Sequence, residues 1–453
     1  MRELLTDSAQ RAIAYLESLE TRAVAPTAAA VAALDRLDTP LPDGPTAPAD
    51  VLRELDEVCS PATMAMAGPR FFGFVIGGAL PVTLAANWLA GAWDQNSALY
   101  NVTPGTAQLE RVALDWLLAL LGLPADSGGG FVTGATVANF TALAAARYGL
   151  LERVGWNVAN DGLFGAPPIT VIVGEEAHVT LFKSLSLLGL GRNRVVRVPV
   201  DNQGRLRAAA LPPIAGPTLI CAQAGNVNSG AFDPLADIAA HARAGGAWLH
   251  VDGAFGLWAA AVPELAHLAA GLAEADSWAG DFHKWLNVPY DSGLALVRER
   301  ETLRAAMAIT ADYLPTASKQ RNPSDFAPEL SRRARGVEVW AALRALGAEG
   351  VRDMIRRGCR HARRFADGLS AAGYEVLNEV VLNQVLVSFG DAAATARVVA
   401  ALQADGTCWC GPTVWQGQTA MRISVSSWAT TEEDVERSLE AMLRVAGEAT
   451  HGG

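Results

Sequence analysis

Lysine is nearly absent from this chain: of its 36 Lys and Arg residues, only Lys183, Lys284 and Lys319 are lysine. Basic charge is short overall, since 47 Asp and Glu residues leave a net charge of −11. Binding a nucleic-acid backbone by counterion release needs a basic face, so that partner class is excluded. The arginine-dense run 352-RDMIRRGCRHARR-364 reads as one face of a helix. Cysteine is sparse too. Cys59, Cys221, Cys359, Cys408 and Cys410 make no even framework and no Cys-x-x-Cys pair, which excludes a disulfide scaffold and a zinc site. That cysteine usage fits a reducing cytoplasm, the expected location, and the start, MRELLTDSAQ, carries acids and has no apolar core, so it does not read as a signal peptide. The uncharged run 71-FFGFVIGGALPVTLAANWLAGAW-93 is long enough to cross a bilayer. Pro81, Asn87 and Gly73, Gly77, Gly78 and Gly91 interrupt it, so it is expected to be a buried segment or a subunit interface, with no membrane partner.

What the chain has in quantity is apolar residues, 51% of 453 with 18% charged, enough for one large domain and a smaller one. Residues 1 to about 60 read as helical, with a connector at 40-PLPDGPTAPAD-50. Short apolar runs then recur between helix-length segments: 169-ITVIVG-174, 195-VVRVPV-200, 218-TLICA-222, 247-AWLHVDG-253 and 293-GLALVRE-299. Strands of this kind, apolar on both faces, belong to a mostly parallel sheet flanked by helices, the α/β class. A long helix over about 331–369 leads to two more strand-like runs, 380-VVLNQVLVSFG-390 and 421-MRISVSS-427, which predict a smaller C-terminal α+β domain. The expected divisions are residues 1–65, 66–320 and 321–453.

Four places carry candidate chemistry. The turn 133-TGAT-136 opens a predicted helix, where backbone N–H groups can hold an anion and Thr136 can add a hydroxyl, although an ordinary N-cap uses the same residues. His178 follows a predicted strand and is either structural or a ring partner. Asp252 ends 247-AWLHVD-252, where strand C-termini deliver ligand groups; it is either a turn residue before Gly253 or the partner of a buried cation. Lys284 sits between His283 and Trp285, and a lysine amine, unlike a guanidinium, can lose its proton and attack a carbonyl. Together these are the parts that pyridoxal 5′-phosphate requires of a protein: a phosphate cradle, a ring partner, an acid for the pyridine nitrogen and a Schiff-base amine.

At these residues the chain resembles the group II pyridoxal-phosphate-dependent amino acid decarboxylases, the family of the aromatic-L-amino-acid, histidine and glutamate decarboxylases. The resemblance runs through 69-PRFFGF-74, 133-TGATVANF-140, 177-AHVTLFKSLSLLGLG-191, 224-AGNVNSGAFDP-234, 249-LHVDGAFG-256, 283-HKWLNVPYD-291 and 331-SRRARGVEVWAALRALG-347. It implies a fold-type I enzyme that decarboxylates an L-amino acid to an amine and CO₂. It makes Lys284 the Schiff-base lysine, Asp252 the pyridinium partner and His178 the imidazole on the ring, the catalytic set. Ala135 and Thr136 become phosphate contacts, Asn226 stands where the family has threonine or serine near the cofactor, Ala254 lies on the other ring face, and His283 fixes the phosphate side. It also implies a homodimer with the N-terminal helical segment wrapped on its partner and the active site at the interface. Phe74, Tyr100 and Ser331 are the substrate-pocket candidates, with an apolar or aromatic amino acid as the expected substrate. Arg422 is either a carboxylate binder or part of a structural ion pair.

The chain departs from the family in 315-PTASKQRNPSDFAP-328, which is shorter than the mobile loop of the aromatic decarboxylases and lacks their proton-donating tyrosine. Phe326 follows Asp325 where an Asp-Tyr pair is expected. Phenylalanine there goes with aldehyde synthases, so an oxidative outcome, or another Cα-bond lyase reaction, is the alternative. Tyr313, His178 or Lys284 is then left to supply the proton.

Overall fold

The computed structural model describes residues 1–309 and 320–451. The chain forms two compact units, one from residues 79–360 and 378–384, the other from residues 1–78, 361–377 and 385 onward.

The larger unit is built on seven strands: β1 (Gly128–Val132), β2 (Thr170–Gly174), β3 (Val196–Val198), β4 (Thr218–Gln223), β5 (Trp248–Asp252), β6 (Ser277–Asp281) and β7 (Gly293–Val297). Their order is β1-β7-β6-β5-β4-β2-β3. The β3-β2-β4-β5-β6 ladder is parallel throughout, while β7 runs antiparallel to both β6 and β1. Every residue of β4, β5, β6 and β7 is buried, as expected of central strands covered on both faces. The helix Ala135–Glu152 packs into one core with Val171, Leu181, Leu219, Trp248 and Val297. The three glycines that open β1 answer to close packing: a Cβ at Gly129 would lie 2.5 Å from Leu114 Cδ1, and one at Gly130 would collide with the Phe326 carbonyl. Since β1 runs parallel in sense to β6, the C-terminal ends of β1, β2, β4, β5 and β6 share one edge of the sheet.

The expected parallel α/β architecture is therefore present, and two of its strands were not disclosed by the apolar runs, the glycine-rich β1 and, closer to the lysine, β6. Its sequence, SWAGD, has no β-branched residue and owes its conformation to pairing on both sides. The long helix spans Gly336–Ala371, and Gly347 at φ 59° and ψ −177° kinks it.

In the smaller unit the helices Arg2–Ser18 and Pro48–Ala62 accompany a four-stranded sheet. Its strands β8 (Glu375–Val376), β9 (Gln384–Ser388), β10 (Gly411–Trp415) and β11 (Gln418–Ser424) are ordered β10-β11-β9-β8. Arg70, the basic residue before the uncharged run, is buried there in an ion pair with Asp434 at 2.9 Å. It also donates to the carbonyls of Thr407 and Glu20, so its charge is spent on structure. The run that follows it splits: residues 71–80 form no strand, and Pro81–Trp93 is a helix. Among the described residues no helix is long and apolar enough to cross a membrane.

Candidate functional site

At the shared strand edge lies a cavity of about 360 Å³, a size that suits a small-molecule ligand. Successive strands supply its walls. After β1 come Ala135 and Thr136, after β2 His178, at the end of β5 Asp252 and Ala254, and after β6 His283 and Lys284. Seven of the residues read from the sequence are thus brought together. Asn226 is buried just behind the lining residues Gly225 and Val227, with its amide on Glu176 Oε2 at 3.0 Å.

Each wall residue is held by a definable contact. Ala135 is the first residue of the helix Ala135–Glu152, so its N–H has no partner inside the helix. His178 is the N-cap of the helix Val179–Leu187, with Nδ1 2.7 Å from Thr180 Oγ1 and 3.4 Å from the Thr180 N–H. The structural alternative for His178 and its place on the cavity wall therefore hold together. Asp252 is buried and accepts hydrogen bonds from Asn139 Nδ2 at 3.1 Å and from the Ala254 N–H at 3.2 Å. The Lys284 ammonium lies 5.9 Å from the centre of the Phe255 ring. His283 stacks on Tyr290 at 4.1 Å, and burial, against the raising influence of Asp281, lowers its imidazole below the usual range.

Sequence reasoning missed Asp281. Its buried carboxylate is the hub of the wall: Oδ2 is 3.1 Å from Lys284 Nζ and 3.5 Å from His283 Nε2, and Oδ1 accepts the Ala135 N–H at 2.5 Å. The available signal was its place three residues before the rare lysine. That signal stayed silent because SWAGD does not read as a strand, and so Asp281 did not read as a strand end.

Three pocket candidates lie elsewhere. In the larger unit Tyr100 and Ser331 are off this cavity: the Tyr100 N–H donates to Asn322 Oδ1, and Ser331 Oγ is 3.5 Å from Asn96 Nδ2. Phe74 belongs to the smaller unit, where it is exposed and stacks on Trp409 at 5.9 Å. Phe326 is a core residue with the Arg321 guanidinium 4.6 Å above its ring, so it does not mark a position facing the chemistry. Tyr313, Lys319 and the rest of 315–319 lie outside the described residues. Arg422 is on β11 in the smaller unit, where burial lowers its guanidinium.

Comparison with known proteins converges on one family. The model of the pyridoxal-dependent decarboxylase conserved domain matches residues 32–390. L-2,4-diaminobutyrate decarboxylase of Rhizobium meliloti (strain 1021) is 30% identical, over 92% of this chain and 85% of its own. Phenylacetaldehyde synthase of Arabidopsis thaliana is 25% identical, over 90% of this chain and 88% of its own. The crystal structure of Oryza sativa TDC with PLP and tryptamine superposes with a TM-score of 0.91 at 24% identity, over 99% of this chain and 97% of that one.

Proposed function

Because the chain belongs to the pyridoxal-dependent decarboxylase family, and so is a carboxy-lyase that uses pyridoxal phosphate, we propose that it converts an L-amino acid with an apolar or aromatic side chain to the amine and CO₂ with Lys284 as the Schiff-base lysine. The observation that carries this reading is the grouping of Lys284, Asp281, Asp252 and His178 on one cavity wall.

Three features support pyridoxal phosphate as the occupant of this cavity. Asp252 is a buried carboxylate on the wall that joins no ion pair among the described residues, which suits a cationic ring nitrogen. The helix N-terminus at Ala135, with Thr136 beside it, suits a phosphate. Gly134 keeps that approach open, since a Cβ there would lie 3.1 Å from His283 Cε1 and 3.3 Å from Asp281 Oδ1. When bound, the cofactor supplies an electron sink conjugated to the substrate Cα. The chain's own groups then divide the work. Asp252 would hold the ring nitrogen's proton, His178 and Ala254 would flank the ring, and His283 and Thr136 would hold the phosphate at the helix N-terminus that begins with Ala135, whose own N–H is on Asp281 Oδ1. Asp281 stands as a counter-charge 3.1 Å from Lys284 Nζ, which supports Lys284 as the proton source in a chain that lacks the family's loop tyrosine.

The alternative is oxidative decarboxylation with deamination. It rests on the aldehyde synthase among the relatives and draws nothing from the buried Phe326. The test is to purify the protein, add pyridoxal phosphate and screen the twenty amino acids for CO₂, amine, ammonia and peroxide. Amine with equimolar CO₂ and no peroxide is the expected result; ammonia and peroxide would move the assignment to the alternative.

We also infer a homodimer with the active site at the interface and residues 1–65 wrapped on the partner. Tyr100 and Ser331 would then serve the partner's cavity, and Phe74 the substrate. Trp88, Leu89 and Trp93, exposed on the helix Pro81–Trp93, favour such an interface. Sedimentation should give twice the chain mass, and a stable monomer would remove the inference. The five free cysteines favour a cytoplasmic location.

A further inference from the structure

Behind Asp252 runs a chain of buried polar groups that the proposed chemistry does not use. Trp248, His250 and Asp252 are alternate residues of β5 and so share one face of the sheet. Ser277 pairs with His250 from β6, and Asn139 comes from the helix Ala135–Glu152. Trp248 Nε1 donates to Ser277 Oγ at 2.9 Å, Ser277 Oγ is 2.9 Å from His250 Nδ1, His250 Nε2 is 2.8 Å from Asn139 Oδ1, and Asn139 Nδ2 donates to Asp252 Oδ2 at 3.1 Å. Asn139, His250 and Ser277 are wholly buried.

The two ends of this chain fix the direction of three of its four bonds, and the charge of the buried imidazole fixes the fourth. An indole N–H can only donate, so Ser277 Oγ accepts from Trp248 and has its own proton left for His250 Nδ1. A carboxylate can only accept, so the Asn139 amide turns its NH₂ to Asp252 and its oxygen to His250. His250 must then carry a proton on Nε2, and as the neutral imidazole that burial favours it accepts the Ser277 proton at Nδ1. Burial pushes His250 down to about 4, in agreement, although Asp252 acts in the opposite sense.

We propose that Trp248, Ser277, His250 and Asn139 form a one-way hydrogen-bond relay that orients the Asp252 carboxylate for the cofactor ring, so that His250 and Asn139 are positioning residues for that acid. The role toward the cofactor rests on the function proposed above; the relay itself does not. With Asn139 on one oxygen and the Ala254 N–H on the other, the carboxylate is clamped in rotation and cannot turn away from the cavity.

The test has two arms. In ¹⁵N-histidine-labelled holoprotein, the ring resonances that vanish in His250→Gln should report the neutral, Nε2-protonated tautomer throughout pH 5.5–8. An Nδ1-protonated ring or an imidazolium in that range overturns the relay. In the second arm, outer partners of a bound group are commonly worth roughly 10- to 100-fold in affinity, so Asn139→Leu and His250→Leu should weaken pyridoxal phosphate binding by that range, read by absorbance titration of folded protein. His250→Gln keeps an N–H for Asn139 and should recover most of the loss. Unchanged affinity in both leucine variants, or no recovery by glutamine, overturns the positioning role. If wild type binds no pyridoxal phosphate, the proposed function fails instead, and the tautomer arm still decides the relay.

Discussion

Replacing Lys284 with arginine should leave a folded protein that never develops the absorbance of a lysine–pyridoxal phosphate linkage and that loses turnover by roughly 10³- to 10⁶-fold, the scale on which removing a covalent nucleophile acts. Arginine is chosen because it isolates the chemistry. It keeps the cation beside Asp281, whose Oδ2 lies 3.1 Å from Lys284 Nζ, and so does not leave a buried carboxylate unpaired. What it removes is the capacity to lose a proton and attack a carbonyl. Lys284→Ala removes both, and should add a loss of stability to the same loss of chemistry. The comparison is read from near-ultraviolet and visible spectra after cofactor addition, CO₂ release from the best substrate and thermal midpoints. An arginine variant that keeps a tenth of wild-type turnover would sink the Schiff-base assignment.

The prominence of Lys284 in the sequence has a physical basis, and so does the invisibility of its partner. In a chain that uses arginine almost everywhere, a lysine stands out through what arginine cannot do. His178 and Asp252 were legible because each follows a segment whose apolar pattern marks a strand end, where groups converge in a parallel sheet, and the turn at Ala135 and Thr136 because it opens a predicted helix. Asp281 ends a strand of the same sheet, but β6 is central and paired on both sides, so SWAGD needs no β-branched residues to be extended. The pairing is tertiary, and no local pattern encodes it. The relay behind Asp252 was half legible: 248-WLHVD-252 shows three residues on one face, whereas Asn139 and Ser277 reach it from a helix and another strand. Phe326 misled for a related reason. Its place beside Asp325 suggested a loop position, and only packing shows it under Arg321 in the core.

Glu110→Gln should destabilise the larger unit by about 3–5 kcal/mol, the cost of breaking a buried ion pair from one side. Glu110 is buried on the helix Pro104–Leu120 and holds two guanidiniums, Arg332 Nη1 at 2.8 Å and Arg321 Nη1 at 3.0 Å. Arg332 also donates to the carbonyls of Phe131 and Ser97, and Arg321 to that of Gly129, so both are anchored to fixed backbone. Glutamine matches the shape but leaves two cations facing one neutral amide. Burial already lowers the Arg321 guanidinium, with Glu110 opposing that shift, so losing the carboxylate removes the group that offsets the cost. Arg332 belongs to the motif 331-SRRARGVEVW-340 that carries the resemblance, next to the pocket candidate Ser331. The contacts of Arg332 tie β1, through Phe131, to the helix of Glu110, and β1 leads directly into the turn that ends at Ala135 and Thr136. Glu110→Gln should therefore lower the thermal midpoint and weaken cofactor retention together, with fluorimetry and absorbance titration as readouts. The double variant Glu110→Leu, Arg332→Met should regain part of the midpoint, because apolar packing can replace a buried pair at little cost. A single glutamine variant that melts with wild type would show that the arginines find other counter-charges, and that β1 is held by its glycine packing alone.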